Sequence, residues 1–214
     1  MTVKLDVMDS FAAYQKFTRT TAIYPGSDGY GDDAVPALSY LGLGLVGESG
    51  EIADKVKKII RDGDSKLTAD RCEAILAEAG DVLWYVTRIA DHLGVTLGEI
   101  VAGNKHLDSF SSYQGRVVDG TRWIDILIPK ISVLNLNLMS LNLCQQAGSV
   151  AGSIAHAIAG GPIVFPSELK PVLDILTGIV DALGGNLGDV AAANVKKLSS
   201  RKDRGVLTGS GDMR

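Results

Sequence analysis

Four carboxylates have the residue types and spacing to do chemistry in this chain. They occur as two pairs, Glu48 with Glu51 and Glu78 with Asp81, inside the largely apolar segments LGLVGESGEIADKVKKII and CEAILAEAGDVLWYVTRIADHLG. Residues three apart lie on the same side of an α-helix, so each pair directs two acids the same way. Two such helices packed together would gather four mutually repelling acids. A hard divalent cation with oxygen ligands, most simply Mg²⁺, would relieve that repulsion.

The segments that carry the acids have the apolar period of amphipathic helices. Glu48 and Glu78 continue the apolar stripes and so fall on the faces expected to meet the core, where a lone charge is costly. Asp62-Gly63-Asp64-Ser65 is predicted to end the first helix and Leu93-Gly94 the second. Thr96 with Glu99 predicts a capping box for a third helix. Because no strand pattern with hairpin turns is present, the predicted fold is an all-α helical bundle.

Three glycines lie close to the acids in the sequence, at Gly47, Gly50 and Gly80. A glycine inside a helix costs about 0.8–1 kcal/mol relative to alanine. Something is therefore expected to approach the helices closely at these positions. Tight helix packing and a bound metal-phosphate are both open explanations.

Composition narrows the classes of function. The 214 residues are 46% hydrophobic and carry a net charge of −4, which argues against binding nucleic acid through a basic face. No apolar run is long enough to cross a bilayer, and the N-terminus has early acids and no signal-peptide core. Cys72 and Cys144 are the two cysteines, and both lie in apolar, helical segments. Two lone thiols suit a reducing compartment, so we expect a cytoplasmic protein.

The chain partly repeats itself. Residues 41–60 align with 139–158, and 89–104 align with 179–194, with Leu, Ile, Gly, Ala, Asp and Asn recurring in register. We interpret this as a tandem duplication that forms a fused pseudo-dimer, with units at 1–118 and 119–214. The acids have diverged between the copies: Glu48, Glu51, Glu78 and Asp81 align with Gln146, Ser149, Glu168 and Pro171. One working site is expected, and the second unit either completes it or only packs against it.

The acid motif resembles that of the MazG-like nucleotide pyrophosphohydrolases. Glu48-Ser-Gly-Glu51, the 26 residues 52–77, and Glu78-Ala-Gly-Asp81 match the family's ExxE and ExxD signature, and LGVTLGEIVAGN, TTAIYP and RGVLTGSGDMR resemble it as well. The resemblance covers most of residues 14–104 and about 179–214. The resemblance does not cover residues of about 110–140.

The resemblance implies a helical bundle that uses Mg²⁺, or Mn²⁺, to cleave a nucleoside triphosphate between the α and β phosphates. The products would be a nucleoside monophosphate and pyrophosphate, a reaction that serves nucleotide-pool house-cleaning. It implies that Glu48, Glu51, Glu78 and Asp81 are the catalytic metal ligands and that Asn104 lies near the metals or substrate. Members of the family usually form dimers or tetramers, which leaves open a homodimer of the fused chain.

Several cations are candidates for binding the substrate. The family usually has a lysine three residues after the asparagine; here that residue is Leu107, but the second copy has Lys197 after Asn194. We therefore favour a site completed by the second unit through Lys197. Lys55 and Lys58 lie near Glu51 at helical spacing and either contact phosphates or pair with nearby acids in solvent. In the basic tail, Arg201 and Arg204 either close over the triphosphate or remain solvated.

Other classes of protein are less consistent with these residues. A di-iron carboxylate bundle uses Glu-x-x-His, and neither acid pair has a histidine at that step. A structural bundle does not explain acids on core-facing stripes. A nucleotide-binding or partner-binding bundle without turnover is the main alternative, since the second copy has lost most of its acids.

Overall fold

Helices form all of the regular structure that the computed structural model describes. It describes residues 10–29, 35–62, 66–101, 109–110, 113, 133–162 and 166–208. Within these residues no β-strand occurs, and the one β-bridge joins Ser10 to Ser109. The predicted all-α fold is confirmed.

The described helices follow one another along the chain with short connections where both ends are described. We label them α1 (Phe11–Arg19), α2 (Val35–Arg61), α3 (Ala69–His92), α4 (Leu97–Ile100), α5 (Val133–Ile158), α6 (Leu169–Ala182) and α7 (Leu187–Asp203), with a 3₁₀ turn at Pro166–Glu168 before α6.

Local signals begin and end these helices where the sequence predicts. Helix α2 ends at Arg61, and α3 ends at His92 before Gly94, whose positive φ of 71° suits glycine. Thr96 and Glu99 form the predicted capping box at the start of α4. Asn186 caps α7 by accepting hydrogen bonds from the backbone N–H groups of Gly188 and Asp189.

Helices α2 and α3 form a hairpin whose apolar stripes face each other and the rest of the core. The apolar residues of these stripes include Leu41, Leu45, Ile52, Ile75 and Ile89, all of which are buried. Burying aliphatic side chains of this size contributes about 1.5–3 kcal/mol each. The hairpin therefore has one firmly fixed inner face, which sets the direction of the acids on the same stripes.

Helix α5 packs along α2 in the antiparallel direction. A Cβ at Gly42 would lie 3.1 Å from Cδ1 of Ile154, and the Cys144 thiol lies 3.5 Å from the carbonyl oxygen of Ser49. Helix α6 packs on α5 and α3, and α7 crosses α3. Residues from both sides of the predicted unit boundary share one buried core.

The predicted boundary at 118/119 falls on residues outside the described ranges. The two helical hairpins and their antiparallel contact do not by themselves establish a duplication, so the tandem pseudo-dimer and its two units stay predictions. In the part of the chain that the structure describes, no helix combines the length and apolar character that crossing a membrane requires.

Candidate functional site

Three of the four predicted acids come together between α2 and α3. Glu48 of α2 and Glu78 and Asp81 of α3 each offer a carboxylate oxygen, and these oxygens all lie within 4.8 Å of one another. Glu78 is buried, and the other two are partly buried. The α2–α3 packing places them there because Glu48 and Glu78 replace apolar residues on the facing stripes.

The electrostatics of this cluster favour a cation. Burial, together with the charges of Asp81 and Glu78, raises the pKa of Glu48 to about 7. Burial also raises the pKa of Asp81, against the lowering effect of Lys197. A hard divalent cation such as Mg²⁺ would stabilise three crowded carboxylates of this kind, because it favours the charged forms that burial disfavours in Glu48 and Asp81. The residues present therefore fit the predicted metal.

Two lysines neutralise part of the cluster. Lys55 Nζ lies 2.7 Å from Glu78 Oε1. Lys197 Nζ donates to both carboxylate oxygens of Asp81, at 2.6 and 2.5 Å. Lys55 comes from α2 and Lys197 from α7, so cations reach the acids from two directions.

Helix α7 also brings an asparagine to the acids. The Asn194 side-chain amide donates to Asp81 Oδ1 at 3.0 Å, and its oxygen accepts from the Tyr14 hydroxyl at 3.0 Å. Both Tyr14 and Asn194 are buried. These two hydrogen bonds, from Tyr14 of α1 to Asn194 of α7 and from Asn194 to Asp81, fix the orientation of the Asp81 carboxylate on α3.

Glycine at position 80 permits this approach. A Cβ there would lie 3.1 Å from Asn194 Cβ and 3.3 Å from its side-chain nitrogen, tighter than most packed contacts. At Gly47 and Gly50 an added Cβ would meet no atom within 4 Å. Gly80 therefore agrees with the helix-packing explanation. Helix packing does not account for Gly47 and Gly50.

A cavity of about 140 Å³ opens beside the acids. Glu48 and Asp81 form part of its wall, and Arg201 of α7 lies at another side. Four aromatic residues contribute half of the remaining lining residues: Tyr24, Tyr40, Trp84 and Tyr85. Tyr24 and Tyr40 are stacked with ring centroids 4.9 Å apart, and Trp84 meets Tyr85 edge to face at 5.0 Å. The site thus joins carboxylates, a cation and flat apolar surfaces.

A buried polar network holds Tyr24 in this wall. Arg88 Nε donates to the Tyr24 hydroxyl at 2.9 Å, and that hydroxyl lies 2.8 Å from His92 Nε2. His92 Nδ1 lies 2.6 Å from the carbonyl oxygen of Gly29 and must donate to it. The hydroxyl can then donate to Nε2, which requires neutral His92. Burial lowers the pKa of His92, in agreement with this tautomer.

The remaining predicted site residues lie elsewhere. Glu51 is exposed and is outside the group of three carboxylates, although it lies one turn along α2 from Glu48. Lys58 is exposed and pairs with Asp54 at 2.6 Å, as its alternative interpretation predicts. Arg204 is exposed and donates to the Ser200 carbonyl oxygen at 3.3 Å. Asn104 lies outside the described residues.

Sequence reasoning missed several residues of the site. Asn194 was available as a signal, because it aligns with Asn104 in the repeat and precedes Lys197 by three residues. Tyr14 and Tyr40 had no such signal. Tyr24 lies in TTAIYP, a segment that the family resemblance included without giving any of its residues a role. Trp84 and Tyr85, which follow Asp81 on α3, also line the cavity.

The fold and site define an all-helical protein with a carboxylate cluster suited to a divalent cation. A profile of the MazG nucleotide pyrophosphohydrolase domain matches residues 38–106, which contain all four predicted acids. The gene 37 protein of Mycobacterium phage L5 is 46% identical over 110 residues, covering 50% of this chain and 92% of that protein. The chain belongs to the MazG nucleotide pyrophosphohydrolase family. No solved structure shows a significant match.

Proposed function

We propose that this protein hydrolyses nucleoside triphosphates between the α and β phosphates, releasing a nucleoside monophosphate and pyrophosphate. The observation that carries the proposal is the meeting of Glu48, Glu78 and Asp81 beside a cavity with aromatic walls. The acids suit a metal-bound triphosphate, and the aromatic rings suit a nucleobase.

Glu48, Glu78 and Asp81 would hold Mg²⁺ or Mn²⁺, and Glu51 is proposed as a fourth ligand from the adjacent turn of α2. When bound, the metal supplies charge neutralisation for the phosphates and lowers the pKa of a bound water. A carboxylate of the cluster accepts the proton of the attacking water, which serves as the nucleophile.

The cations of the site position the triphosphate. Lys55 and Lys197 already lie within hydrogen-bonding distance of the acids, so their ammonium groups can also reach phosphate oxygens placed there. Arg201 lines the cavity and is proposed to contact the phosphates from α7. Phosphoryl transfer depends mainly on such positioning and charge stabilisation. Lys58, Arg204 and Asn104 stay proposed substrate contacts.

A substrate of this kind is made and used in the cytoplasm, and we place the protein there, in nucleotide-pool house-cleaning. Cys72 and Cys144 are both free thiols, which agrees with a reducing compartment.

The test is pyrophosphate release from a panel of canonical and modified NTPs and dNTPs with Mg²⁺ or Mn²⁺. Glu78→Gln and Glu51→Gln are run beside the wild type, with Glu73→Gln as the matched control because Glu73 is an exposed glutamate on the same helix as Glu78. We expect wild type and Glu73→Gln to release pyrophosphate, and both site variants to lose that activity.

Products separate the proposal from its alternatives. Release of inorganic phosphate and a nucleoside diphosphate would show cleavage between the β and γ phosphates, which would contradict the proposal. A wild type that binds metal and nucleotide but turns over none of the panel would support the binding bundle instead.

A further inference from the structure

Tyr14 of α1 is a buried tyrosine whose hydroxyl reaches across to α7. Its side chain is 0% exposed, and the hydroxyl donates to Asn194 Oδ1 at 3.0 Å. Helix α1 lies outside residues 38–106, which the family profile matches. A buried hydroxyl without a partner is costly, so this hydrogen bond is what allows a tyrosine, rather than a phenylalanine, to stand here. The polar end of Tyr14 therefore acts on Asn194.

The Asn194 amide has different partners on its two sides. Its nitrogen donates to Asp81 Oδ1 at 3.0 Å, while its oxygen accepts from Tyr14. Burial and the charge of Asp81 raise the pKa of Tyr14 well above its ordinary value, so the hydroxyl keeps its proton. That buried proton needs an acceptor, which the amide oxygen supplies only in the observed orientation. Turning the amide over would leave the proton unpaired and place the amide oxygen against a carboxylate.

An aromatic cluster holds the Tyr14 ring in place. The ring meets Phe110 edge to face with centroids 5.5 Å apart, and Phe110 meets Phe11 in the same way at 4.8 Å. These three side chains are at most 4% exposed. Edge-to-face contacts of this kind set both the distance and the angle between rings. The Tyr14 hydroxyl consequently has little freedom to leave Asn194.

The amide gives the Asp81 carboxylate a direction that its other partner does not. Lys197 donates to both carboxylate oxygens, but a lysine ammonium is a compact charge on a flexible stem and imposes little direction. The Asn194 amide is planar and is itself fixed by Tyr14. It therefore limits the rotation of the carboxylate beside Glu48 and Glu78.

We propose that Tyr14 is a positioning residue for the divalent cation, acting through Asn194 on the Asp81 carboxylate. Because the carboxylate is already oriented, less conformational entropy is lost when the three acids bind a metal. Groups that orient metal ligands change metal affinity by about 10–100-fold. The inference rests on the metal site of the proposed function, but not on turnover.

The experiment is Mn²⁺ binding to the full chain without nucleotide, followed by the electron paramagnetic resonance signal of free Mn²⁺. Tyr14→Phe removes the hydroxyl and keeps the ring. Tyr113→Phe is the matched control, because Tyr113 is a buried tyrosine of the same aromatic cluster whose hydroxyl donates to Asp174 of α6. We expect the dissociation constant for Mn²⁺ to rise about tenfold or more in Tyr14→Phe and less than about twofold in Tyr113→Phe.

A double-mutant cycle with Asn194→Leu separates positioning from general damage to the fold. Leucine keeps nearly the shape of asparagine but makes no hydrogen bond to either neighbour. Asn194→Leu alone should weaken Mn²⁺ binding about tenfold or more. In that background Tyr14→Phe should change the dissociation constant by less than about twofold, because the hydroxyl has lost the group through which it acts.

Circular dichroism checks the fold of each variant. If Tyr14→Phe does not fold, Asn194→Leu decides alone, and wild-type affinity in that variant overturns the proposal. A folded Tyr14→Phe with wild-type affinity also overturns it, as do equal losses in Tyr113→Phe or in both backgrounds of the cycle. A wild type that binds no Mn²⁺ overturns it together with the proposed metal site. Because binding is measured without turnover, an absence of hydrolysis contradicts the proposed reaction alone.

Discussion

At the scale of single residues, the site combines closely spaced acids with cations that partly neutralise their charge. Lys55 pairs with Glu78 and Lys197 with Asp81, while burial and the neighbouring acids raise the pKa of Glu48 to about 7. Such a cluster responds to pH and to metal in opposite ways, because protons and Mg²⁺ compete for the same oxygens.

We expect Glu48 to make the metal-free protein less stable as pH rises from about 4.5 to 7. Native Glu48, with a pKa of about 7 against an ordinary 4.5, holds its proton where the unfolded chain has released it, so its contribution to stability falls with pH in that window. His92, whose pKa burial lowers, contributes in the opposite direction, so the contribution of Glu48 is the difference between wild type and Glu48→Gln. Thermal melts in EDTA across this range measure the slope. Mg²⁺ should raise the melting temperature most at the upper end, and Glu48→Gln should shift the slope toward more positive values. A Glu48→Gln variant that keeps the wild-type slope in EDTA would contradict the assignment.

Lys197 is expected to contribute to catalysis more than the other cations of α7. Replacing it with glutamine leaves Asp81 without its ion pair and removes a cation from the phosphates. We expect kcat/KM for pyrophosphate release to fall about 10²–10³-fold. Lys202→Gln is the matched control, since Lys202 is an exposed lysine of the same helix. Equal values of kcat/KM for the two variants would show that Lys197 does not contribute to catalysis.

At the scale of helices, small residues decide how closely the elements around the site approach. The absence of a side chain at Gly80 leaves room for Asn194 of α7 to contact α3. The absence of one at Gly44 leaves room for the Tyr85 ring to pack against α2. A Cβ at position 44 would lie 2.1 Å from Tyr85 Cε1, so that ring would have to move. Tyr85 is packed between Trp84 and Tyr40 and cannot move without disturbing the cavity wall.

Gly44→Ala should therefore weaken nucleotide binding and raise KM, despite the better helix propensity of alanine. Gly47→Ala is the comparison on the same helix, because an added Cβ there meets nothing within 4 Å. We expect Gly47→Ala to stabilise the fold by about 0.8–1 kcal/mol with unchanged KM. Denaturant unfolding and steady-state kinetics of both variants measure these effects. An unchanged KM in Gly44→Ala would show that the Tyr85 ring does not shape the substrate pocket.

At the scale of the whole molecule, one buried ion network ties α1 and the following turn to α3. Arg88 is 1% exposed and Asp91 2%, and they pair at 2.5 Å. Arg19 of α1 donates from Nε to Asp91 Oδ2 at 2.8 Å. Although burial opposes it, Arg19 and Arg88 hold the pKa of Asp91 below its ordinary value. The same Arg88 supports Tyr24 in the cavity wall.

Asp91→Ala is expected to destabilise the protein by about 3–5 kcal/mol, because it leaves the Arg88 charge buried without its partner. Asp181 aligns with Asp91 in the repeat but is exposed on α6, so Asp181→Ala should change stability by no more than about 0.5 kcal/mol. Urea unfolding of both variants gives the comparison. Similar losses in the two would mean that burial of the network is not what stabilises this region.

The sequence by itself determined the helices and the direction of the acids. Their apolar period and caps are local properties, so the ends of α2 and α3 and the capping box at Thr96 could be predicted from neighbouring residues. The acids replaced apolar residues on stripes that had to meet the core, which predicted that Glu48 and Glu78 would lie together. The helical period also predicted the fold class, and the motif formed by the four acids carried the family resemblance.

The sequence had indicated Lys197 through the repeat and the family resemblance, but only the tertiary structure decided which further residues reach the acids. Asn194 and Lys197 lie more than a hundred positions beyond Asp81, and α7 brings them there by packing over Gly80. The aromatic wall likewise combines Tyr24 and Tyr40 with Trp84 and Tyr85 from separate elements. Periodicity shows which face of a helix is buried but not which helix covers it. That choice depends on the fit of side chains between distant segments, which no local pattern contains.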